Sequence, residues 1–134
     1  MLFRSHAGNL YMTLKGAEPG LPRLILGSHL DSVRSGGNYD GAAGVLAGLS
    51  VLAGLTRAGF QPARDITVMA IRSEEAGSWL PVSYVGSRAS LGRLPPTALD
   101  VPRMDDGRTL AEHMREEGFD PDAVRVGLDR KSVV

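Results

Sequence analysis

The 134-residue chain contains no cysteine, which excludes a disulfide framework and any thiolate metal site and is compatible with a reducing compartment. It carries no net charge: 13 arginines and 2 lysines balance 15 acidic residues. The cations are scattered rather than gathered into a run or stripe, which argues against a nucleic-acid or acidic-membrane partner. No stretch approaches the roughly 20 apolar residues that span a bilayer. The amino-terminal "MLFRSHAGNL" also lacks the apolar centre of a secretory signal. The expectation is a cytoplasmic protein without a membrane partner. What the chain does have is 43% hydrophobic residues, enough for a globular domain, and a length that fits one domain at most.

The periodicities predict an α/β fold. "GNLYMTLKG" (8–16) alternates Leu10, Met12 and Leu14 with Asn9, Tyr11, Thr13 and Lys15, the period of a half-buried strand. "RLILGSHLD" (23–31) is a continuous apolar run of the kind found in strands covered on both faces. Over 40–60, Val45, Leu46, Leu49, Leu52 and Leu55 recur at helical spacing, with alanine and glycine between them for close packing on a sheet. Gly59 suits the carboxyl-terminal cap of that helix. "RDITVMAIRSEE" (64–75) predicts a second buried strand. Strand, helix, strand in that order implies a right-handed crossover and a parallel pair. Beyond it the spacing predicts a short helix over 82–93 and a loop over 94–107. A capping box of Thr109 and Glu112 then opens a helix with Leu110 and Met114 inward. A last helix starts with Asp120 at the N-cap and Pro121 at N1.

Ligands of open α/β sheets bind beyond the carboxyl ends of the strands, and here two successive strands end in "SHLDS" and "RSEEAG". His29 and Asp31 are two apart and project to one side of a strand. The imidazole can bind a metal through one ring nitrogen while Asp31 accepts the proton of the other, or otherwise orients the ring. Asp40 follows a glycine-rich loop at a helix start. Its two oxygens can bridge two cations, and the Asp40–Gly41 bond is a candidate for unusual backbone geometry, cis included. Glu74 and Glu75 are adjacent and expected to point to opposite sides, so that one can ligate metal while the other stays free as a base. Two carboxylates this close raise each other's pKa unless a cation lies between them. Taken singly each feature has a bland reading: a chance HxD, a solvated acidic pair, an aspartate that caps the following helix. The combination is far more specific: HxD at one strand end, an aspartate eleven residues after the histidine, and an acidic pair at the next strand end. His6 and His113 lack such a context and read as a hairpin-loop residue and a helix-face residue.

In "LGSHLDSVRSGGNYDGAAGVLAGLSVL" and "ITVMAIRSEEAGSW", with "GNLY" upstream and "DDGRTLAEHMREEGFDPDAV" downstream, the sequence resembles the di-zinc aminoacylase/carboxypeptidase superfamily. Within it, the amidase, hydantoinase and carbamoylase branch is matched over about residues 5–128. The resemblance implies a zinc-peptidase-like catalytic domain, a three-layer mixed sheet with helices on both faces, of which this chain is the truncated front part. It implies two divalent metal ions, zinc foremost, with manganese, cobalt or nickel as alternatives. On the matching motifs His29 is a ligand of one zinc, Asp40 the bridging carboxylate and Glu75 a ligand of the other. Glu74 is the general base, and Asp31 supports His29.

The implied reaction is hydrolysis of a linear amide or carbamoyl C–N bond in a small molecule of the N-carbamoyl amino acid or allantoate type. The implied enzyme is a homodimer without nucleic acid. Family members are longer; each zinc takes a further histidine from far downstream, and a smaller lid or dimerisation domain holds the substrate carboxylate. This chain alone is therefore expected to be nearly inactive. Two alternatives stand beside this: an aminopeptidase or dipeptidase of the same superfamily, and a non-catalytic α/β fragment in which His29, Asp40 and Glu75 are relics. "AGSWLP" stands where the family more often has "GSRF"-like text, and Arg34 where a proline is more usual. The terminal "DRKSVV" (129–134) is what a common sequencing adapter encodes in one frame. It is expected to be a non-native assembly scar, leaving residues 1–128 as the partial catalytic domain.

Overall fold

The computed structural model describes residues 1–76 and 81–129. Most of the "AGSWLP" departure and the tail from residue 130 onward lie outside the described residues. Among the described residues four strands form one mixed sheet: β1 (Leu2–Arg4), β2 (Leu10–Leu14), β3 (Leu24–His29) and β4 (Ile66–Ile71), in the order β1-β2-β4-β3. β2 runs antiparallel to both β1 and β4, with Leu10 opposite Ala70. β3 runs parallel to β4, with His29 opposite Ile71. Helix α1 (Ala42–Arg57) joins the parallel pair, as the strand–helix–strand order requires. Among the described residues no helix is long and apolar enough to cross a membrane.

α1 lies on one face of the sheet through a narrow seam of Val45, Gly48 and Leu52. Gly48 lets the helix approach: a Cβ there would stand 3.0 Å from Cγ2 of Val68. Leu46, read as part of the inward stripe, is exposed. It lies one residue, about 100° of helical rotation, from Val45, and a helix resting on two strands buries little beyond its central seam. Gly59 has φ +65°. Its N–H donates to the Thr56 carbonyl and that of Phe60 to Leu55, at 3.1 and 3.0 Å, the paired bonds of a Schellman ending.

β4 is buried as read, Val68, Met69 and Ala70 being almost inaccessible. β3 is not. It forms an edge of the sheet, and Leu24 is 47% exposed. An apolar run shows what a strand can tolerate on either side, while its place in the strand order decides what it meets. The alternation in β2 also needs correction. Tyr11, on the side read as polar, is 3% exposed, because the sheet's second face is covered too. There Gly86 presses on the strand end, where a Cβ would come within 2.9 Å of Ile71 Cγ2. Burial, with the Asp129 carboxylate adding to it, pushes the Tyr11 phenol up to about 12.

That second face carries α2 (Val85–Ser90), α3 (Leu110–Glu116) and α4 (Pro121–Arg125). They close around Val85, Leu99, Leu110, Met114 and Val124. The segment read as loop holds a 3-10 turn over Pro96–Asp100 and an isolated bridge between Pro102 and Thr109. Prolines at 95 and 96 preset the backbone, and the turn drops Leu99 into the core at 0% exposure. Both predicted caps form. Glu112 donates its N–H to Thr109 Oγ1 while its carboxylate accepts from Thr109 N–H, and the Asp120 carboxylate accepts from the N–H groups of Asp122 and Ala123. Asp129, the first residue of the expected scar, is fully buried, and its carboxylate accepts the Ala7 N–H at 2.8 Å.

Candidate metal centre

His29 is the last residue of β3. Its Nδ1 lies 2.7 Å from the main-chain oxygen of Asp31. A carbonyl oxygen can only accept, so Nδ1 is the donor and Nε2 is the ring nitrogen left facing the carboxylates. Nε2 stands 3.7 Å from Oδ1 of Asp40 and 3.7 Å from Oε1 of Glu75. His29, Glu74 and Glu75 each offer one donor atom to a set whose members all lie within 4.8 Å of one another, and Asp40 joins through the histidine.

The backbone explains the convergence. The strand reading placed Glu74 and Glu75 on opposite sides, and the structure corrects this. β4 ends at Ile71, and Ser73 has φ +52°, so strand alternation no longer applies and both carboxylates reach the same cluster. The Asp31 carboxylate lies 3.9 Å from His29 Nδ1, and the main-chain oxygen of Asp31 is what meets the ring nitrogen. The two carboxylate oxygens accept the N–H groups of Glu74 and Glu75, at 3.0 and 2.9 Å. Asp31 orients the imidazole through its carbonyl and the acidic turn through its side chain.

Asp40 does not cap α1. The N-cap is Gly41, and no side chain caps that end. Instead Asp40 Oδ2 accepts the Val33 N–H at 3.0 Å, which leaves Oδ1 toward His29. The Asp40–Gly41 bond is trans, and the unusual geometry lies in Gly41, with φ +69°. A Cβ on Gly41 would overlap the His29 ring, and one on Gly36 would overlap the Asp40 carboxylate. Ser28 Oγ donates to the Gly41 carbonyl at 2.8 Å, tying strand to helix start. Burial pushes the Glu74 carboxyl above the usual range. The His29 ring opposes this, and the Glu75, Asp31 and Asp40 carboxylates reinforce it.

This donor set fits a divalent cation. Two donors on one tetrahedral zinc stand about 3.3 Å apart for bonds of about 2.0 Å, close to the 3.7 Å between His29 Nε2 and Asp40 Oδ1. The imidazole is held in the tautomer a metal needs, and three carboxylates supply negative charge. A cavity of about 320 Å³ lined by Val85, Met114 and Phe119 shares Asp31 with this region, and His29, Glu74 and Glu75 are not among its lining residues. His6 is exposed, as read. His113 lies 3.0 Å from an Asp106 oxygen, away from the cluster. Sequence reading missed Asn9, which is fully buried beside β4. Its signal was a lone carboxamide just ahead of an apolar strand.

Among solved structures the chain superposes on a hydantoinase/carbamoylase family amidase from Burkholderia ambifaria. The TM-score is 0.78 with 32% identity, covering 88% of this chain and 29% of that one. The fold is thus part of an α/β catalytic domain of the carbamoylase and amidohydrolase kind. A match to peptidase family M28 spans residues 9–98, and the chain belongs to that family, whose membership implies divalent-metal use. It is 41% identical over 121 residues to N-carbamoyl-L-amino acid amidohydrolase of Geobacillus stearothermophilus, covering 90% of this chain and 29% of that protein. Against allantoate amidohydrolase of Bacillus subtilis (strain 168) it is 35% identical over 112 residues, 84% of this chain and 27% of that protein. The chain therefore spans less than a third of the length of these relatives.

Proposed function

We propose that the protein to which these residues belong hydrolyses linear amide or carbamoyl C–N bonds in a small molecule, N-carbamoyl amino acids and allantoate being the substrate class, with two divalent cations, zinc foremost. The observation that carries this reading is the convergence of His29 Nε2 with Asp40 Oδ1 and Glu75 Oε1, at 3.7 Å each, beside Glu74. His29 would hold one cation, Glu75 the other, and Asp40 would lie between them. Cations bound there polarise a carbonyl oxygen and lower the pKa of a water molecule. Glu74 is spared as a ligand in this assignment. It takes the proton of the attacking water and hands it to the leaving nitrogen. Asp31, holding the amides of both glutamates, keeps base and ligand in register.

For the whole protein the proposal includes a homodimer, from the family resemblance, and a cytoplasmic location, which the cysteine-free composition supports. For the 134 residues alone we expect negligible turnover. The described cluster offers one imidazole, whereas catalytic zinc sites generally use three protein ligands per ion plus water.

The test is a calorimetric zinc titration of the chain, followed by assay of a longer protein carrying this segment on N-carbamoyl amino acids, allantoate and dipeptides. Zinc uptake that disappears in His29→Ala, with hydrolysis of the carbamoyl substrates, is the expected result. Glu74→Gln should lower kcat by about 10²–10⁴-fold while zinc still binds. The family's description as a peptidase favours a second reading: turnover of dipeptides with none of the carbamoyl compounds would put it in place of the first. A chain that takes up no zinc would leave the non-catalytic reading.

A further inference from the structure

Every polar main-chain group from Arg72 to Glu75 that carries an observed bond is tied to a separate part of the fold. Asp31 takes the N–H groups of Glu74 and Glu75. The start of α2 supplies three successive donors, with Tyr84, Val85 and Gly86 N–H bonding the carbonyls of Glu74, Ser73 and Arg72 at 2.8, 2.9 and 3.1 Å. The remaining anchor is Asn9. Its Oδ1 accepts the Arg72 N–H at 3.0 Å and its Nδ2 donates to the Gly86 carbonyl at 2.9 Å. One carboxamide thus joins the end of β4 to the beginning of α2.

The arrangement has a physical cause. The β2–β4 ladder runs from Leu14–Ile66 to Leu10–Ala70, and past that point the backbone of Asn9 turns back on Ser5. Asn9 N–H donates to Ser5 Oγ, and its carbonyl accepts the Ser5 N–H. The Arg72 N–H therefore has no β2 backbone acceptor to continue the ladder, and the side chain of Asn9 supplies one. Asn9 is 0% exposed, so truncating it would leave the part-buried Arg72 N–H and the buried Gly86 carbonyl without this partner. The segment it holds is strained: Ser73 and Tyr84, bonded to each other's neighbours, are both non-glycine residues at positive φ, +52° and +61°. Such conformations persist where the surroundings over-determine them. Gly86 completes the fit, since a Cβ there would overlap both the Arg72 carbonyl and Asn9 Oδ1.

We propose that Asn9 is a positioning residue which, through Arg72 and the strained turn, sets Glu75 for cation binding, and Glu74 beside it, before any cation arrives. This rests on the metal-centre reading given above. Asn9 touches neither cation nor substrate. Its effect on zinc runs through the turn and hence through Glu75.

The test is a double-variant cycle on the 134-residue chain with zinc alone as the probe. Asn9→Ala is expected to weaken zinc binding by about 10–100-fold. In a Glu75→Gln background the same substitution should change affinity by less than about threefold, because the ligand it positions is gone. Amide exchange in the metal-free chain should accelerate at Arg72, Glu74 and Glu75 and stay unchanged in α4. Val124→Ala, which loosens the helical cluster away from the turn, should lower Tm and leave zinc affinity as it was. Equal losses of affinity in the two backgrounds would overturn the proposal. So would parent-like zinc binding by Asn9→Ala, or a loss in Val124→Ala as large as in Asn9→Ala. Should Asn9→Ala fail to fold, Asn9→Asp keeps the acceptor facing Arg72 and loses the donor facing Gly86. It should show a smaller loss of the same sign, and parent-like binding there counts against the role. A parent chain without zinc uptake is the distinct failure of the metal-centre reading, seen before any substitution is made, and it removes this role as well.

Discussion

Two glycines at nearly the same backbone angle separate strain from function. Gly41 and Gly59 have φ +69° and +65°, where any Cβ-bearing residue loses about 1–2 kcal/mol. A Cβ at Gly59 would meet nothing within 4 Å among the described residues, whereas one at Gly41 would overlap the His29 ring. Gly59→Ala should cost about 1 kcal/mol in urea unfolding and leave zinc affinity unchanged. Gly41→Ala should cost more and also abolish zinc uptake, because the imidazole must move. Equal zinc binding by the two variants would refute the placement of His29. The histidine and the carboxylates were legible in the sequence because residue type and strand-end position are local properties. The use of Asp31 was not legible. Whether its carboxylate serves an imidazole two residues away or amides more than forty residues away depends on which strand lies beside β3.

At the scale of elements, the Thr109 and Asp120 caps transferred from sequence to structure, while Asp40 does not cap α1. The Thr109–Glu112 box involves four consecutive residues and closes as read. Thr109→Ala should lower stability by about 1 kcal/mol, measured as a shift of the urea midpoint at unchanged m-value. The helical stripe of α1 transferred less well. Leu46→Gln should fall within about 0.5 kcal/mol of the parent, as surface changes do, since Leu46 is 61% exposed. Val45→Ala, in the buried seam, should be clearly destabilising. Period 3.6 identifies a face of a helix, and the width of that face in contact depends on how many strands the helix covers. The same reasoning applies to β2. Its alternation located a strand, and Tyr11 became core because helices lie on both faces.

For the molecule as a whole, pH and concentration report on what is covered. The Tyr11 phenol, with its pKa at about 12, is held neutral in the folded state, while an unfolded tyrosine ionises near 10. Below about pH 10 both states keep the proton and this group adds no pH dependence. Above it the unfolded state ionises first, so stability falls until about pH 12, by a few kcal/mol at most. Urea midpoints between about pH 9 and 11.5 should fall in the parent and fall less in Tyr11→Phe; identical slopes would place the phenol in solvent. The edge strand β3, with Leu24 exposed on it, offers unpaired backbone and apolar surface, a recognised route to association. Light scattering should show concentration-dependent self-association of the chain, reduced in Leu24→Lys.

The sequence by itself determined the kinds of element, the Thr109 and Asp120 caps and the residue types gathered at the strand ends, because each depends on neighbours a few positions apart, and the parallel pair, because it follows from the order of elements along the chain. Tertiary structure alone decided that β3 is an edge, that Tyr11 is core, that Glu74 and Glu75 face one cluster, and that Asn9 and Asp31 hold the turn carrying them. Those outcomes depend on the order of strands and on bonds between residues dozens of positions apart, and no local period encodes which distant backbone will stand within 3 Å.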